Sequence, residues 1–427
     1  MGGPASADVV IIGAGLAGLA AAVRLQEAGL DAIVVERSDG VGGRVRTEVV
    51  DGFRLDRGFQ LLNPSYPEAA RVLDLGALEL RPFLAGLVAS AGDKRYTLGD
   101  PRRLPRAIRD DLTAPVGSIK AKLAFGTWVA GLGLGSADSI RSSADRPLIE
   151  ELAARGLTGA LTEKVLRPFL SGVLADEGLD SSQRVAAMLL RAFARGAPSV
   201  PALGMQAMPD QLATRLRPES VHLGVRVGSV TSGAVAADTG RITARAVVVA
   251  VSGDAAGALG APGSPMRALT TWWYAAEEPP SDRALLHVDA ERRGPLASTV
   301  VMTTAAPAYA TDGRALVAAT AVGVHPDGQA AARRHAGLLY GVDPSGWELV
   351  RTDVIEHALP THPAGQPLQQ RVSISDGLFV AGDHRDTPSI QGALVSGRRA
   401  ADAVLASVGA AVAQETTRRS ASRATGE

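Results

Sequence analysis

The chain has 427 residues with 44 basic and 44 acidic side chains, so its formal net charge is zero and no global field recruits nucleic acid or anionic lipid. Hydrophobic residues make up 46%, enough to fill the cores of two domains, and the lack of any cysteine excludes disulfides, thiolate metal sites and a dithiol redox centre. Residues 1–8 show neither a basic start nor an apolar leader, and no stretch reaches the 18 apolar residues needed to span a bilayer, so the expectation is a cytoplasmic protein with at most peripheral membrane contact.

Residues 9–12 (VVII) form a near-continuous apolar run of the kind that builds a strand buried on both faces of a parallel sheet. The glycines that follow have separate tasks. Gly13 permits a tight turn, Gly15 lets the backbone approach a pyrophosphate, and Gly18 allows close helix-to-strand packing. Leu16, Leu19, Ala20 and Val23 recur at helical spacing, which puts the N–H groups of Leu16 and Ala17 at a helix start facing the phosphates. A second buried strand, residues 32–35, delivers Glu36 and Arg37, with the Glu36 carboxylate placed to accept both hydroxyls of a ribose. Residues 39–47 (DGVGGRVRT) add a second glycine pair, Gly42 and Gly43, and a cation, Arg44. A nicotinamide dehydrogenase has no need for that second diphosphate-hugging turn. The combination points to FAD.

Further along, residues 52–63 read as strand, turn, strand, and Ser65 as the cap of a helix running to residue 75. Helical patterns dominate residues 81–201, including 119–131 and 147–156, and a further helix spans 204–216. Strand-like runs cover 221–230 and 242–251, and alternation returns at 269–276, 285–288, 298–303 and 315–322 as a mostly antiparallel sheet. A short buried strand, 378–381, leads into Gly382 and Asp383 and then a helix over 389–407. The tail from residue 411 loses its apolar pattern and reads as frayed or disordered.

These elements make an α/β protein, α+β overall: a Rossmann-like FAD-binding domain from residues 1–80, 202–265 and 346–427, interleaved with a helical-plus-antiparallel-sheet substrate domain from 81–201 and 266–345. The GLGLG run at residues 131–135 follows a helical pattern and lacks an acid-tipped strand, so it reads as a helix end and not a second nucleotide site. Asp383 ends a strand at the carboxyl edge of the sheet, where ligands of open α/β folds sit, and Thr387, Pro388 and Ser389 start the final helix. Ser389, Ile390, Gln391, Gly392 and Ala393 then lie where a ring can rest against a helix N-terminus that stabilises negative charge on it. Trp272 and Tyr274 share one face of a strand and are candidate substrate-cavity residues, with Trp273 on the other. The seven histidines gather no metal-ligand partners, so no metal site is expected. Residues 119–134 (IKAKLAFGTWVAGLGL) read first as a buried helix and second as a peripheral membrane contact.

With VGGR at residues 41–44, DRGF at 56–59 and LFVAGDHRDTPSIQGALVSGRRAA at 378–401, the chain resembles the FAD-dependent flavin amine oxidase superfamily, which also holds phytoene desaturases, carotenoid isomerases and protoporphyrinogen oxidases. The resemblance implies that Gly382 and Asp383 bind the ribityl or pyrophosphate region and that the Val227 backbone pairs with adenine. It also implies that Gly58, Phe59 and Gln60 approach the isoalloxazine ring, with Gln60 a candidate polar contact, and that Arg167 belongs to a recurrent substrate-domain motif or pairs with Glu163 or Asp176. Two departures bear on the substrate. Amine oxidases of the superfamily commonly carry a lysine late in the substrate domain, yet no lysine follows Lys164, and Ser389, Ile390 and Gln391 stand where an aromatic of an amine cage is expected. The expectation is therefore hydride abstraction from a C–H bond of a lipophilic small molecule, with oxygen or a quinone as electron acceptor. Amine oxidation, redox-neutral isomerisation and a non-enzymatic lipid-binding role like that of Rab GDP-dissociation inhibitors remain as alternatives.

Overall fold

The computed structural model describes residues 6–424, so the first five residues of the N-terminal reading and the last three of the tail lie outside the described residues. The chain forms two compact units. One comprises residues up to Gly43, Met208–Pro265 and the chain from Gln369 on; the other comprises Arg44–Ala207 and Met266–Leu368.

In the first unit, Ser6–Ile12 lies at the centre of a parallel ladder with Ala32–Val35 on one side and Gly240–Val249 on the other. Val221–His222 and Leu378–Val380 extend the ladder at its two ends, also in parallel. Val9, Val10 and Ile11 have no exposed surface, which explains their unbroken apolar run: both faces are covered, and each such side chain contributes about 1.5–3 kcal/mol relative to an exposed one. The helix Leu16–Glu27 follows, and the final helix, Ile390–Ala424, packs on it with Gly397 against the Ala17 backbone. The expected strand over 221–230 is broken into Val221–His222 and Val227–Thr231 by Gly224, whose φ is +71°. Val227–Thr231 pairs antiparallel with Ala234–Ala237, which pairs in turn with Gly240–Val249.

The second unit is built on a seven-stranded sheet in the order Glu348–Pro360, Met266–Ala276, Ala315–Val322, Ser298–Val301, Leu286–Asp289, Gly86–Ala91, Lys94–Gly99. All its pairings are antiparallel except that of Leu286–Asp289 with Gly86–Ala91. One core joins Trp272, Tyr274, Val301 and Val317 to Ala332, Ala336 and Leu339 of the helix Gln329–Tyr340. Another joins Leu87, Leu98 and Val288 to the helical stretch, through Trp128, Leu148, Leu166 and Leu190.

Three expectations need correction. Residues 81–201 are not helical throughout, because Gly86–Ala91 and Lys94–Gly99 form a hairpin. The hairpin read into residues 52–63 is Thr47–Val50 with Phe53–Asp56, turned at Asp51 and Gly52 with φ of +49° and +82°. Residues 44–80, 202–207 and 346–368 belong to the sheet-and-helix unit and not to the nucleotide unit. The cause is the strand Glu348–Pro360, which pairs with Met266–Ala276 and whose Arg351 clamps that hairpin at Glu48 (3.0 Å), the Leu55 carbonyl (3.2 Å) and the Asp56 carbonyl (3.1 Å). Residues 131–134 are the last turn of the helix Ile119–Leu134, capped by Gly135, as read from the sequence. No helix among the described residues is long and apolar enough to cross a membrane.

Candidate cofactor site

The glycine turn is assembled from three backbone contacts inside the first unit. The Gly13 N–H donates to the Val35 carbonyl (2.8 Å), the Gly42 N–H donates to the Ala14 carbonyl (2.8 Å), and Gly15 and Gly42 form an isolated bridge. A Cβ on Gly18 would be driven into the Gly13 carbonyl oxygen, so the helix can approach the strand this closely only with glycine there. The helix starts at Gly15 with no side-chain cap and no acidic residue in its first turn. Its positive end is thus left to an outside anion. Nothing lies within 4 Å of the point where a Gly15 Cβ would stand, and Gly43 comes beside Gly15, so the two glycine turns the sequence singled out share one cradle. Leu16 and Ala17 are buried at its base, whereas Arg37 is exposed.

Glu36 reaches this turn from the end of the second strand. Its Oε2 accepts the Ala14 N–H (2.8 Å), and its Oε1 accepts the N–H (2.9 Å) and the hydroxyl (2.8 Å) of Ser38. Three of about four lone-pair positions are therefore engaged by the protein, which fixes the carboxylate's orientation and leaves room for fewer ribose contacts than the sequence suggested. Val225 donates its N–H to the Glu36 carbonyl (2.8 Å), and Gly224 donates to the Ser38 carbonyl (3.0 Å). Val227, the residue expected beside adenine, sits two residues further on, in register with Ala237 in the antiparallel pair. Ser38 and Val225 escaped the sequence reading; the available signal was a hydroxyl two residues after the acid that ends the strand.

On the same edge of the sheet, with only the strand Gly240–Val249 between them, Gly382 leaves the strand Leu378–Val380 and donates its N–H to Ser396 Oγ (2.9 Å), while Asp383 opens a single 3-10 turn and is buried. Arg385, also buried, donates twice to the Arg371 carbonyl (3.1 and 2.6 Å), and Arg399 donates to the Arg385 and Gln370 carbonyls. Burial, reinforced by the Arg399 charge, lowers the Arg385 pKa. Ser389 caps the final helix, its Oγ accepting the Gly392 N–H at 3.1 Å and lying 3.0 Å from the Thr387 hydroxyl. Its hydroxyl is a cap first and a pocket group at most second. The space a Gly392 Cβ would need is filled by the Thr387 carbonyl, so the local turn itself requires glycine there. Ile390, Gln391 and Ala393 are half-buried on the first turn.

The remaining candidates lie in the second unit. Arg44 donates to the Ala358 carbonyl (2.8 Å). Gln60 uses its amide nitrogen on the Arg44 and Arg57 carbonyls (2.7 and 2.8 Å), which makes it a brace of the 44–60 segment; only its carbonyl oxygen remains for a polar contact. Gly58 is buried against Ile355 and Thr271, and Phe59 meets Phe83 edge-on at 6.2 Å. Trp272 and Tyr274 do share a face, but it is not a cavity wall: both have zero exposure, Tyr274 donates to the Gln329 carbonyl (2.8 Å) and packs on Trp347, and Trp272 lies against Gly328. The helix that begins at Gln329 fills the space. Trp273 points the other way, its Nε1 donating to Asp353 at 2.8 Å. Arg167 holds Glu163 with two bonds (2.9 and 3.1 Å), while Asp176 pairs instead with Arg267 (2.7 Å).

Asp56, within DRGF, was not singled out for its side chain, yet it is wholly buried and accepts from Thr47 Oγ1 (2.5 Å), the Met205 N–H (3.0 Å) and the Tyr309 hydroxyl (2.8 Å). Burial pushes its carboxyl up to about 6 against the pull of those donors and of Arg351.

A family model described as flavin containing amine oxidoreductase matches residues 16–405. Chloroplastic protoporphyrinogen oxidase of Nicotiana tabacum is 30% identical over 188 residues, 43% of this chain and 32% of that protein. The zeta-carotene-forming phytoene desaturase of Myxococcus xanthus is 50% identical over 50 residues, 12% of this chain and 10% of that protein. The matches thus span about a third or less of these curated relatives. Among solved structures, cyclohexylamine oxidase from Brevibacterium oxydans IH-35A superposes with a TM-score of 0.71 at 16% identity, covering 94% of this chain and 99% of that one. The uncapped helix start, the open face at Gly15 and the oriented Glu36 carboxylate fit the adenosine diphosphate half of FAD, and the chain belongs to the flavin-containing amine oxidoreductase family, with FAD as its cofactor.

Proposed function

We propose that the protein is a FAD-dependent dehydrogenase or desaturase that removes a hydride from a C–H bond and a proton from the neighbouring C–H or N–H bond of an apolar small molecule, leaving a C=C or C=N bond respectively. The bound cofactor supplies the two-electron acceptor, and oxygen or a quinone takes both electrons onward with two protons. Gly13, Gly15, Glu36, Gly42 and Gly43 would hold the adenosine diphosphate, and the segments around Asp383 and Ile390 the ribityl and ring end. No acid/base pair is required of the side chains when a conjugated system or a lone pair stabilises the developing cation.

The observation that carries the choice of substrate is the placement of lysine. The chain has four, Lys94, Lys120, Lys122 and Lys164, and only Lys94, exposed on the edge strand of the large sheet, lies on a strand. The strands Met266–Ala276, Ala315–Val322 and Glu348–Pro360 carry none. The lysine that amine oxidases of the superfamily commonly carry late in the substrate domain, near the flavin through a water, therefore has no counterpart on these strands.

The test is anaerobic photometry of the purified yellow protein against carotenoid, porphyrinogen and amine panels. Bleaching of the flavin band by a carotenoid or porphyrinogen, with product two hydrogens lighter, supports the reading. Bleaching by amines alone would replace it with amine oxidation, and product of unchanged mass with isomerisation.

A further inference from the structure

The helix Ile119–Leu134 is apolar on every side, yet Trp128 is its only buried residue. One side, with Ala121, Phe125, Val129 and Leu132, packs against the core of the second unit. The other carries Ile119 (54% exposed), Leu123 (63%), Gly126, Thr127, Gly131 and Leu134 (89%). A helix with solvent on one face ordinarily places charge there. This one has no acidic residue, and its only charges are Lys120 and Lys122 in the first turn.

The preceding helix, Ile108–Thr113, continues the surface. Lys122 Nζ donates to the Asp111 and Ala114 carbonyls, which joins the two helices, and Ile108 (44%) and Leu112 (59%) are exposed. Five of the thirteen exposed large hydrophobics among the described residues fall between 108 and 134. Charge around this patch is one-sided. Between residues 102 and 122 the chain has six basic and two acidic residues although it is neutral as a whole. The two acids, Asp110 and Asp111, accept the Thr97 and Gly99 N–H groups of the neighbouring strand, so their charge is held inward. Arg106, Arg109 and Lys120 are exposed and form no ion pair among the described residues.

We propose that this two-helix surface docks the protein in the interface of an anionic lipid bilayer, with Ile108, Leu112, Ile119 and Leu123 entering the acyl boundary and Arg106, Arg109 and Lys120 meeting lipid phosphates. An exposed apolar strip rimmed by cations, without outward carboxylates, matches that surface in both polarity and sign. The helix of 16 residues is about 24 Å long, short of the roughly 30 Å of hydrocarbon, so it lies on the bilayer and does not cross it. The proposal is independent of the substrate assignment.

Sedimentation of the holoprotein with vesicles tests it, using phosphatidylcholine alone and phosphatidylcholine mixed with phosphatidylglycerol. The expected result is binding to the anionic vesicles that weakens with salt. Ile119→Glu with Leu123→Glu lowers the partition coefficient more than tenfold, and the triple change of Arg106, Arg109 and Lys120 to Gln lowers it about fivefold per charge. Flavin content and circular dichroism of both variants establish that they are folded. The proposal fails if anionic vesicles sediment none of the protein, if either variant binds like the wild type, or if the wild type instead forms a concentration-dependent dimer that the double variant loses.

Discussion

Glu36 shows how one carboxylate can organise a glycine turn and the loop beside it. It orients the glycine turn through Ala14 and the next loop through Ser38, so its charge is preset for the ribose hydroxyls it would meet under the proposed function. Glu36→Gln would turn an N–H donor toward one of these donors. Charge-assisted bonds of this kind contribute about 1.5–3 kcal/mol, so FAD affinity should fall roughly 10–100-fold, read by titrating FAD into the apoprotein. Asp56 raises a different question, because its proton is bound more tightly in the folded than in the unfolded chain. Below the ordinary carboxylate pKa of 3.8 both states are protonated, and stability falls as pH rises through that value until the folded group also ionises near 6. The shift corresponds to about 3 kcal/mol. The stability difference between wild type and Asp56→Asn should therefore change by about that amount between about pH 3 and pH 7 in urea melts; a flat difference would show that the donors around Asp56 cancel the effect of its burial, and a change of opposite sign that they outweigh it. Glu36 was legible because strand, turn, helix and strand are contiguous in the chain. Asp56 was not, since Met205 and Tyr309 reach it from 149 and 253 residues away.

Among elements, the ones read correctly from sequence were those whose environment is uniform along their length. Residues 9–12 of the first strand and 16–23 of the helix that follows are buried without a break, so their composition alone reveals them. The hairpin Gly86–Ala91 with Lys94–Gly99 was missed because GLVASA offers small residues and no clean alternation, and its parallel partner Leu286–Asp289 lies far along the chain. Trp272 and Tyr274 were placed on the right strand and the right face, but the identity of the layer over that face depends on the helix Gln329–Tyr340, 55 residues later. The first turn of Ile390–Ala424 allows a direct test at this scale. Ser389 accepts the Gly392 N–H, and Ser389→Ala should destabilise the protein by about 1 kcal/mol in thermal melts of the apoprotein. If Ser389 were instead chiefly a cofactor contact, the apoprotein would be unaffected and only the FAD-bound form would lose stability.

At the scale of the molecule, the chain passes between its two units at residues 43/44, 207/208, 265/266 and 368/369, so neither unit is a continuous stretch that could be cut out whole. The first unit brings its cradle together from separate segments: the glycine turns and Glu36 from the beginning, Val225 from the middle and Gly382 to Ala393 from the end. A cofactor seated there binds residues that only the folded chain brings together, and it has no comparable site in the unfolded state. Its effect on stability should then follow mass action: free FAD at a hundredfold excess over its dissociation constant adds about 2.7 kcal/mol, rising by roughly 1.4 kcal/mol for each further tenfold. In a scan of the apoprotein with increasing FAD the unfolding midpoint should climb by a few degrees and keep climbing logarithmically. Glu36→Gln should displace that curve along the concentration axis by its loss of affinity without changing its slope. A midpoint independent of FAD would mean that the cradle persists in the unfolded ensemble or contributes nothing to binding, and either result would separate the fold from the cofactor it is built around.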